Sequence, residues 1–296
     1  MIKVDRKQVA KPTALDKKNK QGKTETERAI EHYTSAASKG KKFEFKVYAD
    51  AEVKDSLIKL FKEKCAYCES KFLHVYSGDV EHFRPKGEIE EATPDKKPGY
   101  YWLAADWDNL LLSCRNCNQK LTHSIYGVVS KKTMGKMNQF PLSNLSKYVR
   151  KHNNANGIAD EEPYRLLLNP CIDNPEEHLE YGAEGIIRPR KDATGKESTK
   201  GKTSIDVYVL QRVALVQMRE KVLIEMQAQI QRVKEATKNY NDIIGSPDSV
   251  RIFYFERILK RELERLKNFL NPEEEYVGMA RQMVGEFLKI NFGIII

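Results

Sequence analysis

Apolar residues recur at helical spacing through the second half of the chain and in short bursts through the first. Ile205, Val209, Val213, Val216, Leu223, Met226, Ile230 and Val233 follow the period of one long helix. Gly245-Ser246-Pro247 interrupts it and predicts a second helix, with Ser246 as N-cap and Pro247 in the first turn. Ile252, Phe255, Leu259, Leu263 and Leu266 give that helix its stripe. Asn271-Pro272 followed by three glutamates predicts a third, with acids near its positive end. Such stripes predict core or subunit contacts rather than a ligand site. Upstream, Glu180 to Pro189 alternates around Gly182 and Gly185 as a hairpin does. Leu166-Leu167-Leu168-Asn169-Pro170 reads as a buried strand ended by proline.

The middle of the chain is patterned differently. Val53 to Lys62 predicts a helix with Val53, Leu57, Leu60 and Phe61 on one face. Asp79 to Phe83 and Asn109 to Ser113 read as short strands, Tyr101 to Trp107 as helical. A further helix is expected to start near Cys117 and run through Lys120 and Leu121. Nearer the N-terminus, Thr24-Glu25-Thr26-Glu27 is a capping box that predicts a helix to about Ser38. Three zones follow: a Lys-rich arm over residues 1–42, a central zone over 43–150, and a C-terminal region over 151–296 with a hairpin and long helices. The fold class expected is α+β, mostly helical.

Charge changes this picture at one end. The chain has 296 residues and a net charge of +9. Residues 1–42 hold twelve Lys/Arg and five Asp/Glu, so +7 sits there and +2 in the rest. Such an arm suits a phosphate backbone or an acidic partner, or is a solvated tail. No apolar run approaches the roughly 18 residues of a membrane span. The first seven residues lack the apolar stretch of a signal peptide, so a cytoplasmic protein is expected.

In a reducing compartment, paired cysteines favour metal over disulfide. Four of the five cysteines lie in two Cys-x-x-Cys pairs, Cys65/Cys68 and Cys114/Cys117, with 45 residues between Cys68 and Cys114. Two such turns can complete a four-thiolate Zn²⁺ site, which is closed to substrate and therefore structural. Cys171 is left as a free thiol.

Between and beside these pairs lie Glu81-His82, Arg84, Lys86, Asn109, Asn118 and Lys120. They resemble the HNH endonuclease family, whose ββα-metal motif ends its first strand in an acidic residue and a histidine. That family places an asparagine in the middle and a histidine or asparagine on the following helix. Here the matching residues are Glu81 and His82, Asn109, and Asn118. Glu81 stands where aspartate is commoner, with Asp79 as a stand-in, and Asn118 where histidine is commoner.

The chemistry of the residues is consistent with that resemblance. A neutral imidazole near pH 7 can take a proton from water, the role expected of His82. Glu81 and Asn118 offer the hard oxygens that Mg²⁺ or Mn²⁺ accepts. Asn109 is expected to fasten the loop that aims His82, and Arg84, Lys86 and Lys120 to contact phosphates. His74, His123, His152 and His178 lack such company.

Residues 45–220 or so also look like the nuclease subunits of Septu antiphage systems, a subunit type that accompanies some retrons too. The likeness is carried by Glu81-His82-Phe83-Arg84-Pro85-Lys86, Tyr101-Trp102-Leu103-Ala104, Asp106 to Leu110, Leu168-Asn169-Pro170-Cys171 and Glu177-His178-Leu179-Glu180. It implies a metal-dependent endonuclease acting on nucleic acid, DNA before RNA, in a defence complex with an ATPase of the ABC or SMC-like kind. The alternatives are an RNA-cleaving effector, with tRNA as its substrate, and a non-catalytic zinc module that binds nucleic acid or a partner.

Overall fold

The computed structural model describes residues 1–38 and 40–295. Helix α1 (Glu25–Thr34) opens with the expected capping box: the Glu27 amide donates to Thr24 Oγ1 at 3.2 Å, and the Thr24 amide to the Glu27 carboxylate at 2.7 Å. It ends at Thr34, and Ala36–Ser38 form a separate 3-10 turn. Helix α2 (Ala51–Leu60) buries Val53, Leu57 and Leu60 as its stripe requires. Strands β1 (Asp79–His82) and β2 (Leu110–Ser113) pair antiparallel, with Glu81 opposite Leu111 and His82 opposite Leu110. Helix α3 (Arg115–Asn118) follows β2 directly. Two more antiparallel pairs are β3 (Leu121–His123) with β4 (Lys132–Met134), and β5 (Leu179–Tyr181) with β6 (Ile187–Pro189). Helices α4 (Thr199–Val207), α5 (Val213–Asn241), α6 (Ser249–Asn268) and α7 (Val277–Phe292) complete the chain. The architecture is mixed α and β, with helix far exceeding strand. No described helix is long and apolar enough to cross a membrane.

The basic arm is wound onto the core. Met1, Ala14, Leu15 and Ala29 are buried, and the Met1 amino group meets the Glu69 carboxylate. Arg6 donates to the carbonyls of Trp107 (2.7 Å) and Leu110 (3.0 Å), holding the arm against the turn before β2. The apolar residues of the arm, few as they are, are enough to fasten it.

Several sequence expectations need correction. The helix expected through Lys120 and Leu121 is the single turn α3, and Leu121 begins β3. A longer helix would have used the carbonyls of Cys117 and Asn118 as acceptors for its next turn. Those carbonyls instead accept from the amides of Lys136 (3.0 Å) and Met137 (2.5 Å). Gly135, at φ +146°, makes this approach possible, since a Cβ there would sit 1.9 Å from the Gln119 carbonyl oxygen.

The segment Leu166 to Pro170 is buried but is not a strand. Side chains satisfy its backbone: Leu168 N donates to Ser204 Oγ (2.8 Å), Tyr208 Oη to the Leu168 carbonyl (2.8 Å), and Asn169 N to Asp173 Oδ2 (2.7 Å). The helix read continuously from Ile205 to Val233 is broken between α4 and α5, where Val209 takes φ +53°. Tyr208, Val209 and Leu210 are themselves buried, so the apolar period runs through the break unmarked. The last two helices start later than their turn residues suggest. Asp248 rather than Ser246 caps α6, accepting from Arg251 N at 3.0 Å. Helix α7 begins only after Tyr276, because Glu275 is drawn off to accept from the Lys71 amide at 2.7 Å. Tyr101 to Trp107 forms no continuous helix either; 3-10 turns cover Tyr101–Leu103 and Trp107–Asn109.

Candidate functional site

The strand pair carries two sites, one on each side of the α3 turn. On one side the cysteines converge. The Ala66 amide donates to the Leu112 carbonyl (2.9 Å), which docks the first Cys-x-x-Cys turn against β2. Cys114 stands at the N-cap of α3, and Cys117 lies within it. All four Sγ atoms lie within 4.8 Å of one another, and every one of these cysteines is buried. A tetrahedral Zn²⁺ with bonds near 2.3 Å would set its sulfurs about 3.8 Å apart. Cys68 Sγ and Cys114 Sγ are 3.9 Å apart, so the cluster fits a metal such as zinc.

Sequence reasoning missed the residue that completes this cluster. Arg212, buried in the break between α4 and α5, donates to Cys117 Sγ and Cys68 Sγ at 3.4 Å each. Four thiolates around a dication would leave two negative charges, and this guanidinium offsets one of them. Nothing marks Arg212 in the sequence, since it lies 95 residues beyond Cys117. Arg212→Met is expected to weaken zinc binding by about 10- to 100-fold, read by competition with a chromophoric chelator. Unchanged affinity in a folded variant would remove the guanidinium from the zinc site.

On the other side is a cleft of about 610 Å³ lined by Tyr48, Asp79, Glu81, His82, Lys86 and Asn118, among others. His82 is buried, and its ring meets the Tyr48 ring edge-on at 4.6 Å. Its Nε2 lies 3.0 Å from the Ala104 carbonyl oxygen, which can only accept, so Nε2 carries the hydrogen. That leaves Nδ1 as the acceptor, 3.3 Å from Lys86 Nζ. Burial first, and then the Lys86 charge, hold the imidazole well below its usual protonation range. Lys86 is itself half-buried, and burial lowers its ammonium as well. Its Nζ sits 4.2 Å from the Tyr48 ring centroid.

Asn109 is buried beneath this histidine. Its Oδ1 accepts from Arg84 N (2.7 Å), and its Nδ2 donates to the carbonyls of Arg84 (3.0 Å) and Leu103 (3.1 Å). It therefore ties the chain after His82 to the chain before Ala104, the residue that holds His82 Nε2.

The two acids of β1 have different partners. Asp79 Oδ2 accepts from Asn118 Nδ2 (2.9 Å) and Gln119 Nε2 (3.3 Å), and its other oxygen accepts from Tyr76 Oη. Glu81 Oε1 lies 2.6 Å from Lys136 Nζ but outside hydrogen-bonding alignment, and Lys136 donates to the His82 carbonyl instead (2.9 Å). Burial raises the Glu81 carboxyl, opposed by the Lys136 charge. Lys136 is fully buried and was also missed; its one sequence signal is the preceding Gly135 that lets the chain cross α3.

Two expected phosphate contacts lie elsewhere. Arg84 is buried 3 % exposed, with Nε 2.9 Å from Glu161 and Nη2 2.7 Å from Glu162, so it braces the chain after β1 rather than facing the cleft. Lys120, placed off the helix by the early end of α3, pairs with Glu90 at 2.5 Å at the surface. His74, His123, His152 and His178 are absent from the cleft lining. The structure thus brings together His82, Lys86, Asn118, Asp79 and Glu81, with Asn109 behind them, and leaves Arg84 and Lys120 outside.

Fold and site together define a ββα arrangement pinned by a four-cysteine cluster, with a histidine, two acids and an asparagine in an adjoining polar cleft. No family model matches the sequence. Over 265 residues the chain is 34% identical to the Septu protein PtuB of Bacillus mycoides (strain KBAB4), covering 85% of this chain and 79% of that one. It is 27% identical over 206 residues to the Septu protein PtuB of Bacillus thuringiensis, covering 66% and 55%. It is also 29% identical over 167 residues to the Septu protein PtuA of Bacillus mycoides (strain KBAB4), covering 56% of this chain and 20% of that one. The chain belongs to the Septu PtuB family.

Proposed function

We propose that this protein is a metal-dependent HNH endonuclease, the effector of a Septu antiphage complex that includes an ATPase subunit. One observation carries the reading: a buried, neutral histidine whose acceptor nitrogen meets Lys86 in a cleft that also holds a carboxylate–asparagine pair. Phosphodiester hydrolysis needs a base for water and neutralisation of charge on phosphorus. His82 Nδ1 takes the proton of the attacking water as oxygen bonds to phosphorus and the P–O3′ bond breaks. Asn109 keeps that nitrogen aimed by fixing the loop on both sides. Lys86 holds a phosphate oxygen and, by its charge, keeps the imidazole unprotonated beforehand.

Hard oxygens suit Mg²⁺ or Mn²⁺, and Asp79 with Asn118 is the pair best placed to hold it. Glu81 is the lesser ligand because Lys136 already neutralises it. When bound, the ion would stabilise the charged phosphate and the leaving oxygen. Asp79→Asn and Glu81→Gln separate the two assignments.

Acidity gives a test of the base. A free histidine is half-protonated near pH 6.5. The folded-state value is lowered, so the neutral form persists below that pH and is lost only as pH falls through the depressed value. The acid limb of cleavage is therefore expected below pH 6.5. A limb at or above 6.5 that moves with His82 variants would contradict it.

The substrate is tested by incubating the protein with phage DNA and with total tRNA, in Mg²⁺ or Mn²⁺, with and without ATP and the partner subunit. Cleavage of DNA supports the reading as stated, and cleavage of tRNA alone transfers it to RNA. Binding without cleavage in every metal, partner present, leaves a non-catalytic zinc module.

A further inference from the structure

A second cavity, of about 780 Å³, shares no lining residue with the candidate cleft and plays no part in the chemistry proposed there. Its floor is an aromatic pair: the rings of Tyr33, from α1, and Tyr101 stack with centroids 4.4 Å apart and planes 25° off parallel. Tyr101 Oη lies 3.0 Å from His152 Nδ1, which fixes the inner ring, while Tyr33 is only half-buried and lines the space. The wall is basic. Lys97, Arg150 and Lys151 line it against the single carboxylate of Asp95, three cations less one anion, or +2. Arg150 donates through Nη2 to the Asp95 carbonyl (2.6 Å), but its Nη1 is buried with no hydrogen-bond partner among the described residues. A buried guanidinium nitrogen without an acceptor is costly, and an anionic oxygen would satisfy it.

A stacked aromatic surface beside a basic wall has the composition that binds a base and its phosphate together. The segment that supplies Arg150 and Lys151 also lines an adjoining groove of about 830 Å³, where Lys147 lies 5.5 Å from the Tyr164 ring. On the other flank, the turn bearing Tyr101 leads three residues on to Ala104, whose carbonyl holds His82. Aromatic and cationic side chains therefore continue past the cavity on one side, and on the other the chain itself leads to the residue that holds His82.

We propose that this cavity binds a nucleotide unit, its base against the Tyr33–Tyr101 stack and its phosphate at Arg150 and Lys151. The unit can come from a free nucleoside triphosphate or from a single strand, and only the strand as substrate rests on the nuclease reading. Fluorescence anisotropy of the zinc-loaded full chain with fluorescein-labelled dT10, without added Mg²⁺, tests it. Tyr33→Ala and Lys151→Glu are each expected to weaken binding by about tenfold or more, and Tyr33→Phe to restore it. Competition by unlabelled dT10 but not by ATP identifies the strand, and competition by ATP at lower concentration than dT10 identifies the free nucleotide. The proposal is overturned if neither ligand binds, or if both weakening variants bind dT10 as the parent does. Lys151 is exposed and unpaired among the described residues, so its variant decides the matter should Tyr33→Ala lower the melting temperature. His82→Ala addresses cleavage separately, while Tyr33→Ala and Lys151→Glu address dT10 binding without Mg²⁺, so the two readings fail independently.

Discussion

Cleavage by the His82→Ala protein, assayed in Mg²⁺ or Mn²⁺ with the partner subunit present, is expected to fall by about 10²- to 10⁴-fold while its zinc content is unchanged. The range is what a positioned general base contributes. The geometry sets the direction. Nε2 is committed to the Ala104 carbonyl, so Nδ1 is the one ring atom able to accept a proton, and it meets Lys86, another residue of the cleft, at 3.3 Å. Alanine removes that acceptor and leaves β1, Asn109 and the cysteines in place. Loss of the edge contact with Tyr48 at 4.6 Å will cost some stability, so melting temperature is measured alongside. Full activity in a folded, zinc-loaded variant removes His82 from the mechanism.

The largest effect on stability is expected from the metal. Purified protein should carry one zinc per chain, and Cys114→Ser should lose most of it. Stripping the metal should lower the melting temperature by roughly 10 °C or more. The reason is local: three of the site's supports meet at the cysteines. They are the Cys65–Cys68 turn docked on β2, the one-turn helix α3, and Arg212 from the break before α5. Without an ion, four thiols and a guanidinium share one buried space, and the thiols have little reason to stay converged. Cys171→Ser is the control, because Cys171 lies outside the cluster and should leave both readings alone. A zinc-free preparation with an unshifted melting transition would show that the cluster does not need a metal to hold the fold.

The sequence made the local features legible wherever a short pattern fixes them. The capping box at Thr24, the stripe of α2, the strand at Asp79, the hairpin around Gly182 and Gly185, and the two Cys-x-x-Cys turns all depend on neighbours within a few residues. Their physics is local, and they could be read directly. The convergence of the four cysteines was also legible, because two Cys-x-x-Cys turns can share one tetrahedral metal ion.

Long-range contacts decided the rest. Lys136 and Met137 take the carbonyls that would have extended α3, and so move Lys120 out of the site. Arg84 looks like a phosphate ligand from its place beside His82, yet Glu161 and Glu162, 77 and 78 residues away, claim it. Lys136 pairs with Glu81, which is why the proposed metal is assigned to Asp79 in its place. The arm's charge says that it could be free, while Met1, Leu15 and Arg6 fasten it to surfaces built from distant residues. By itself, the sequence determined which side chains were available and which short segments were helix, strand or turn. Only the tertiary structure decided which charges are spent on each other and which still face the cleft, because ion pairing depends on distance in space and not on separation along the chain.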